Sequence, residues 1–276
     1  MKVPVNTFKK ALAEGRTQLG LWVALADNFS AELLAGIGYD WLLLDGEHAP
    51  NDVRSILSQL QAVASAQNAF GDQRSHPVVR VPLGTGEAGT AIIKQFLETG
   101  VQTLLVPMVD TAAQAAQVVA AAKYPPEGIR GVGSALGRGS RWQAYERYVH
   151  EANDEICVLV QAESVTAMRN IDAIAATPGV DGVFIGPADL SASMGHRGTP
   201  GHPEVQAMIE HAVTRILAAG KAPGILSTSE PQARKWLQAG AQFVAVGADT
   251  IILVNGATQL LKTYRSDTAE QGPSSY

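Results

Sequence analysis

One cysteine, Cys157, stands in 276 residues, inside the apolar run Ile156-Cys157-Val158-Leu159-Val160. A lone cysteine excludes an intramolecular disulfide, and a thiol set in such a run reads as core rather than reactive. Charge is also sparse: 17% of residues carry one, the formal net charge is −5 and the pI is near 5.7. That leaves no basic field for nucleic acid or an anionic membrane surface. No run of about eighteen apolar residues occurs, and the start Met1-Lys-Val-Pro-Val-Asn-Thr-Phe-Lys-Lys10 lacks a hydrophobic signal core. These absences predict a soluble protein of a reducing, cytoplasmic compartment.

Apolar residues make up 46% of the chain, enough to bury a large core. They fall in eight short runs, at 20–24, 41–44, 78–81, 103–107, 157–161, 182–185, 222–226 and 243–246. Between them lie segments of helical pattern, at 31–35, 52–66, 91–98, 112–122, 165–176, 205–219, 231–239 and 251–263. Near-continuous apolar strands alternating with helices predict a closed parallel sheet with helices outside, a (β/α)8 barrel; a doubly wound open sheet is the alternative. Residues 6–15 read as a short helix capping the bottom of the barrel, with Gly15 as its stop. No composition break divides residues 1–264, taken as one domain. The glycine-rich run 128–148 predicts a long loop, and residues 265–276 a polar, disordered tail.

In such a barrel chemistry collects where strands end. The second run ends in Asp45, Glu47 and His48; the third contains Arg80; the fifth ends in Gln161 and Glu163; the sixth runs into Gly186-Pro187-Ala188-Asp189. Glu163 and Asp189, two carboxylates without a Cys or His cluster of zinc-like spacing, suit a hard divalent ion such as Mg2+ or Mn2+. Asp189 could equally cap the next helix. Arg80, in an otherwise buried strand, needs a carboxylate from Asp45, Glu47 or a ligand. His48 is placed for acid/base work, or is a solvated loop residue. Trp22 is core or pocket wall. The other histidines are read as loop or polar-face residues without chemistry. Gly84-Thr-Gly86-Glu-Ala-Gly89 lacks the ending and spacing of a nucleotide loop and reads as a flexible loop. No lysine occupies a strand end, which argues against Schiff-base chemistry.

As a set, Asp45-Gly-Glu-His-Ala-Pro50, Tyr124-Pro-Pro-Glu-Gly-Ile-Arg-Gly131, Leu159-Val-Gln-Ala-Glu163 and Phe184-Ile-Gly-Pro-Ala-Asp-Leu190 resemble the class II pyruvate aldolases of the HpcH/HpaI family. The resemblance runs from about residue 8 to about residue 263, and Gly131-Val-Gly-Ser-Ala-Leu136 with Ser140-Arg-Trp142 resembles its heptanedioate-cleaving branch. It implies a (β/α)8 barrel in a homo-hexamer, a dimer of trimers with the last helix exchanged between subunits. The implied reaction is metal-dependent, reversible cleavage of 4-hydroxy-2-oxo acids to pyruvate and an aldehyde. Glu163 and Asp189 would hold the divalent metal, Mg2+ or Mn2+ with Co2+ or Zn2+ as substitutes. Arg80 would face the keto oxygen, and the backbone at Ala188 and Asp189 the pyruvate carboxylate. Asp45 and Glu47 would hold waters on the ion; Gln161, Trp22 and Leu226 would line the pocket. His48 would carry the proton, with Glu98 standing where the family has an aspartate partner. A family Trp-Asn-Asp-like turn is replaced by residues 83–89. Alternatives are a sugar-acid aldolase of the same family, a hydroxypyruvate/pyruvate aldolase with another acceptor, or a binding barrel that senses oxo acids.

Overall fold

The computed structural model describes residues 1–67 and 74–270, and side chains as far as residue 265. Strands β1 (Gln18–Val23), β2 (Trp41–Asp45), β3 (His76–Arg80), β4 (Thr103–Val106), β5 (Cys157–Ala162), β6 (Gly182–Ile185), β7 (Ala222–Leu226) and β8 (Phe243–Ala248) are all parallel. They pair in chain order and β8 returns to β1, closing the barrel. The β1–β8 pairing excludes the open-sheet alternative.

Helices connect them: α1 (Thr7–Ala13) before the barrel, then α2 (Asn28–Ala35), α3 (Val53–Ser65), α4 (Gly86–Glu98), α5 (Ala112–Ala122) and α6 (Tyr148–Glu155). After β5 come α7 (Val165–Arg169), α8 (Ile171–Ala175), α9 (Pro187–Ser193), α10 (Pro203–Ala218), α11 (Glu230–Gln238) and α12 (Asp249–Glu270). Side-chain caps start several of them: Asp52 accepts from the Arg54 and Ser55 N–H groups, and Thr111 pairs reciprocally with Gln114.

Two-residue periodicity sorts each strand. In β2, Leu42 and Leu44 join the apolar shell under the helices, whereas Trp41 and Leu43 join an interior stack with Trp22, Val78, Leu105, Leu159, Phe184 and Phe243. Asp45 continues the parity of Trp41 and Leu43, as Arg80 continues that of Val78 and Gln161 that of Leu159. The polar groups are therefore the top layer of the same interior stack. At the bottom, Phe8 of α1 packs 5.9 Å from the Trp41 and Phe243 rings, the expected cap. Gly15, at φ +70°, ends that helix region as predicted.

The structure corrects several local expectations. Residues 86–89 are helix rather than flexible loop: Thr85 stands at the N-cap position of α4 without a side-chain cap, and Gly86 and Gly89 lie in its opening turns. Helical geometry there follows from Ile93, Phe96 and Leu97, which bury one face and override the local glycine content. The helix expected over 165–176 breaks at Asn170, whose side chain donates to Asp110 O at 2.8 Å. His76 is in β3 rather than a loop; its Nε2 lies 2.8 Å from Thr103 Oγ1, and burial pulls its pKa down to about 4. Helix α12 runs through part of the expected tail, and residues 271–276 lie outside the described residues.

Interior packing leaves no room at Gly224, where a Cβ would sit 2.2 Å from the Phe243 ring. Gly224→Ala should therefore destabilise the barrel by about 1–3 kcal/mol through overpacking. A denaturant melt with an unchanged midpoint would contradict this account.

Candidate active site

The mouth is organised by Arg80, buried at the end of β3 and directly paired in register with Asp45. Its Nε donates to Asp45 Oδ1 at 2.9 Å and its Nη2 to Asp45 Oδ2 at 2.6 Å, a bidentate fork. The remaining nitrogen, Nη1, lies 2.7 Å from Glu47 Oε2, a charge contact that completes the neutralisation. Trp22 holds the arrangement from the side, its Nε1 donating to Asp45 Oδ2 at 3.0 Å while its ring lies 4.8 Å from the guanidinium carbon. Asp45 also accepts the Glu47 and His48 backbone N–H groups, which fixes the turn after β2. Asp45 and Glu47, the alternatives expected to answer Arg80, both do so, and Trp22 is buried in the interior stack.

Glu163 follows β5 and is buried opposite this cluster. Its Oε1 accepts the Met108 N–H at 2.9 Å, and its Oε2 accepts from Gln161 Nε2. Gly186 at the end of β6 is what admits it, because a Cβ there would stand 2.4 Å from Glu163 Oε2. Asp189 lies in the first turn of α9, exposed, with Gly186 as the cap residue. The capping role open to Asp189 thus falls to no side chain, and its charge acts on Glu163 and Glu47. Ala188 precedes it, also exposed, and Leu226 ends β7 packed against the Trp22 cluster.

Environment splits these acids. Burial would raise Asp45, but the Arg80 hydrogen bonds and charge, with Trp22 and the Glu47 N–H, outweigh it and hold the carboxyl below its ordinary value. Glu47 goes the other way, because burial exceeds the pull of Arg80. Glu163 is pushed up from 4.5 to about 7, by burial first and then by the charges of Asp189 and Glu47, against the Gln161 and Met108 hydrogen bonds. Arg80 is already committed to Asp45 and Glu47, and among the described residues no basic side chain pairs with Glu163 or Asp189. An all-oxygen pair with unanswered negative charge fits a hard divalent cation.

His48 is two-thirds exposed at the rim, its Nε2 3.9 Å from Glu47 Oε2. Glu98 is elsewhere. Helix α4 starts beside the mouth and runs back over 13 residues, which carries its last residue roughly 20 Å toward the barrel bottom. There Glu98 Oε1 accepts from buried Arg130 Nη2 at 2.9 Å, and Arg130 stacks over Tyr124 at 4.4 Å. The expected His48–Glu98 pair is therefore not made within one subunit. Arg138 donates to Thr99 O at that same far end. Met108 and Gly186 were not anticipated as site residues. Met108 carries no polar side chain, and only its φ of +55° shows the backbone turned to present its N–H.

The HpcH/HpaI aldolase/citrate lyase pattern matches residues 18–256. The chain belongs to that family. Its curated relatives are named aldolases, which are carbon–carbon lyases, and this chain is a lyase. Among its relatives, a hydroxypyruvate/pyruvate aldolase of Pseudomonas aeruginosa is 55% identical over 275 residues, covering 100% of this chain and 98% of the relative. A 4-hydroxy-2-oxo-heptane-1,7-dioate aldolase of Salmonella dublin is 55% identical over 98% of both chains. The crystal structure of an HpcH/HpaI aldolase/citrate lyase family protein from Burkholderia cenocepacia J2315 superposes with a TM-score of 0.88, at 38% identity, covering 95% of this chain and 100% of that one.

Two outcomes are expected of this aldolase. In Asp45→Asn, buried Arg80 loses most of its neutralisation, and stability should fall by about 3 kcal/mol; urea unfolding measures it. The raised Glu163 carboxyl makes the metal-free fold bind an extra proton between about 4.5 and about 7, so its stability falls as pH rises through that window. A divalent ion held by Glu163 would displace that proton, and calorimetry in buffers of different ionisation heat should then find close to one proton released around pH 6 and few at about pH 8.

Proposed function

We propose that the chain is a divalent-metal-dependent class II aldolase that reversibly cleaves 4-hydroxy-2-oxo acids to pyruvate and an aldehyde. The observation that carries this reading is a guanidinium held in place by Asp45 and Glu47 beside two carboxylates, Glu163 and Asp189, that no basic side chain among the described residues answers. Those two residues hold the ion, Mg2+ or Mn2+ by oxygen donor set. When bound, the ion supplies Lewis-acid stabilisation of negative charge.

The chain's own groups do the rest. Breaking the C3–C4 bond sends its electron pair toward the C2 oxygen, and Arg80 meets the charge that develops there. Asp45 and Glu47 hold the guanidinium in place, so no reorganisation is needed as charge builds. His48 takes the C4 hydroxyl proton as the aldehyde forms and returns it in the synthetic direction. The backbone N–H groups of Ala188 and Asp189, in a helix turn without a side-chain cap, receive the pyruvate carboxylate. Trp22, Gln161 and Leu226 wall the donor site. No strand-end lysine offers a Schiff base.

The same reading includes assembly. Helix α12 exposes Ile251, Ile252, Leu253, Val254, Leu260 and Leu261, an apolar surface that an exchanged helix in a homo-hexamer buries. Glu98 and His48 sit at opposite ends of one subunit, so a pair between them belongs to two subunits. A cytoplasmic setting accords with the buried free thiol of Cys157. No described helix is long and apolar enough to cross a membrane.

Arg80→Ala should lower kcat by roughly 10²–10³, the loss expected of an oxyanion donor. Glu163→Gln and Asp189→Asn should each abolish Mg2+ binding with the melting profile retained, and full activity after EDTA treatment would overturn the metal mechanism. A panel of aldehydes with pyruvate or hydroxypyruvate as donor, with products identified, separates the heptanedioate reading from the hydroxypyruvate one. Pyruvate binding without turnover of any acceptor would favour the sensor.

A further inference from the structure

Beyond the mouth, the connection from α9 to α10 gathers three metal-ligating side chains within nine residues. His196 follows the end of α9, His202 caps α10, and Glu204 lies in the first turn of α10. Their ligand atoms all lie within 4.8 Å of one another. His196 Nε2 is 2.9 Å from Glu204 Oε2, and the two imidazole rings stack with centroids 3.6 Å apart at 15°. Ligands of a tetrahedral zinc ion, at roughly 2.0–2.2 Å from the metal, lie about 3.3 Å from each other, so the nitrogen–oxygen separation already suits one ion.

The backbone holds this connection in shape. His196 N donates to Ser191 O at 2.7 Å, Thr199 N to His196 O at 2.9 Å and His202 N to Thr199 O at 3.0 Å. Gln206 Nε2 ties Pro200 O to α10 at 2.9 Å. His202 Nδ1 accepts the Glu204 N–H at 3.3 Å, which leaves its Nε2 for an outside ligand. The hydrogen bond and charge of His196 hold the Glu204 carboxyl below its ordinary value. His196 is three-quarters covered while Glu204 is mostly exposed, which gives the cluster both a fixed arm and an open side.

We propose that His196, His202 and Glu204 form a second divalent-cation site, distinct from the mouth and selective for a borderline ion such as Zn2+. Donor chemistry separates the two. Glu163 and Asp189 offer oxygen alone, which suits Mg2+ or Mn2+, whereas two imidazoles and one carboxylate suit Zn2+, with a water or solute in the fourth position. Binding turns the half-buried His202 ring out of the stack, so that its nitrogen lone pair meets the ion in the ring plane. The ion then bridges the end of α9, the helix that carries Asp189, to the start of α10.

The test is calorimetric titration of the tag-free, full-length chain with Zn2+ alone and with Mg2+ alone. The Glu163→Gln/Asp189→Asn variant, which lacks the mouth ligands, should keep one Zn2+ site per chain and bind no Mg2+. On that background His196→Ala should weaken Zn2+ roughly tenfold or more. Glu204→Gln, which keeps a hydrogen-bonding partner for His196 but removes the charge, should do the same should His196→Ala fail to fold. His211→Ala is the control and should leave the isotherm unchanged. In the otherwise wild-type chain, His196→Ala should leave Mg2+-supported turnover intact. Absence of a Zn2+ site in the mouth variant, or an equal loss in His211→Ala, overturns the proposal.

Discussion

The fork between Arg80 and Asp45 is the interaction on which the rest of the mouth depends. A guanidinium at the end of a buried strand is costly unless each of its faces is answered, and here two nitrogens go to Asp45, one to Glu47 and the ring of Trp22 covers the flank. The consequence is geometric as much as energetic. With β2 and β3 in direct register at Asp45 and Arg80, the charge is fixed by the sheet itself rather than by a loop. Asp45 in turn accepts the two backbone N–H groups of the following turn, so the positions of Glu47 and His48 follow from the same carboxylate.

That commitment shapes the other half of the site. Because Arg80 is satisfied by β2, it does not neutralise Glu163, and burial with neighbouring like charges drives that carboxyl up to about 7. Two acids within one mouth are thus pushed apart in proton affinity, one lowered by a guanidinium and one raised by burial and like charge. Gly186 and the turned backbone at Met108 complete the second half, the first by leaving space and the second by supplying an N–H. Under the proposed aldol cleavage this combination would place positive charge before the enolate forms and leave a separate carboxylate position for the metal.

Much of this was legible in the chain. Eight apolar runs at barrel spacing gave the fold, and their polar endings gave Asp45, Glu47, Arg80, Gln161 and Glu163, because period-two alternation carries a strand's interior parity past its last apolar residue. Less legible were features whose signal is not a side chain. Met108 acts through its backbone, Gly186 through the lack of a Cβ, and the glycines at 86 and 89 looked like loop until the buried face of α4 outweighed them. His76 was misplaced for a related reason: its strand opens with His-Pro, which reads as a turn, and only pairing with β2 makes it strand.

What the sequence alone determined is the alternation of strand and helix and the residue types at strand ends, since both depend on local periodicity. The tertiary structure decided who pairs with whom. It set Arg80 against both Asp45 and Glu47, placed Asp189 inside α9 rather than at its cap, and put Glu98 at the opposite end of α4 from His48, against Arg130. Those outcomes depend on strand register, helix direction and the closure of the barrel. None of these is a local property, because each is set by contacts between residues far apart in the chain.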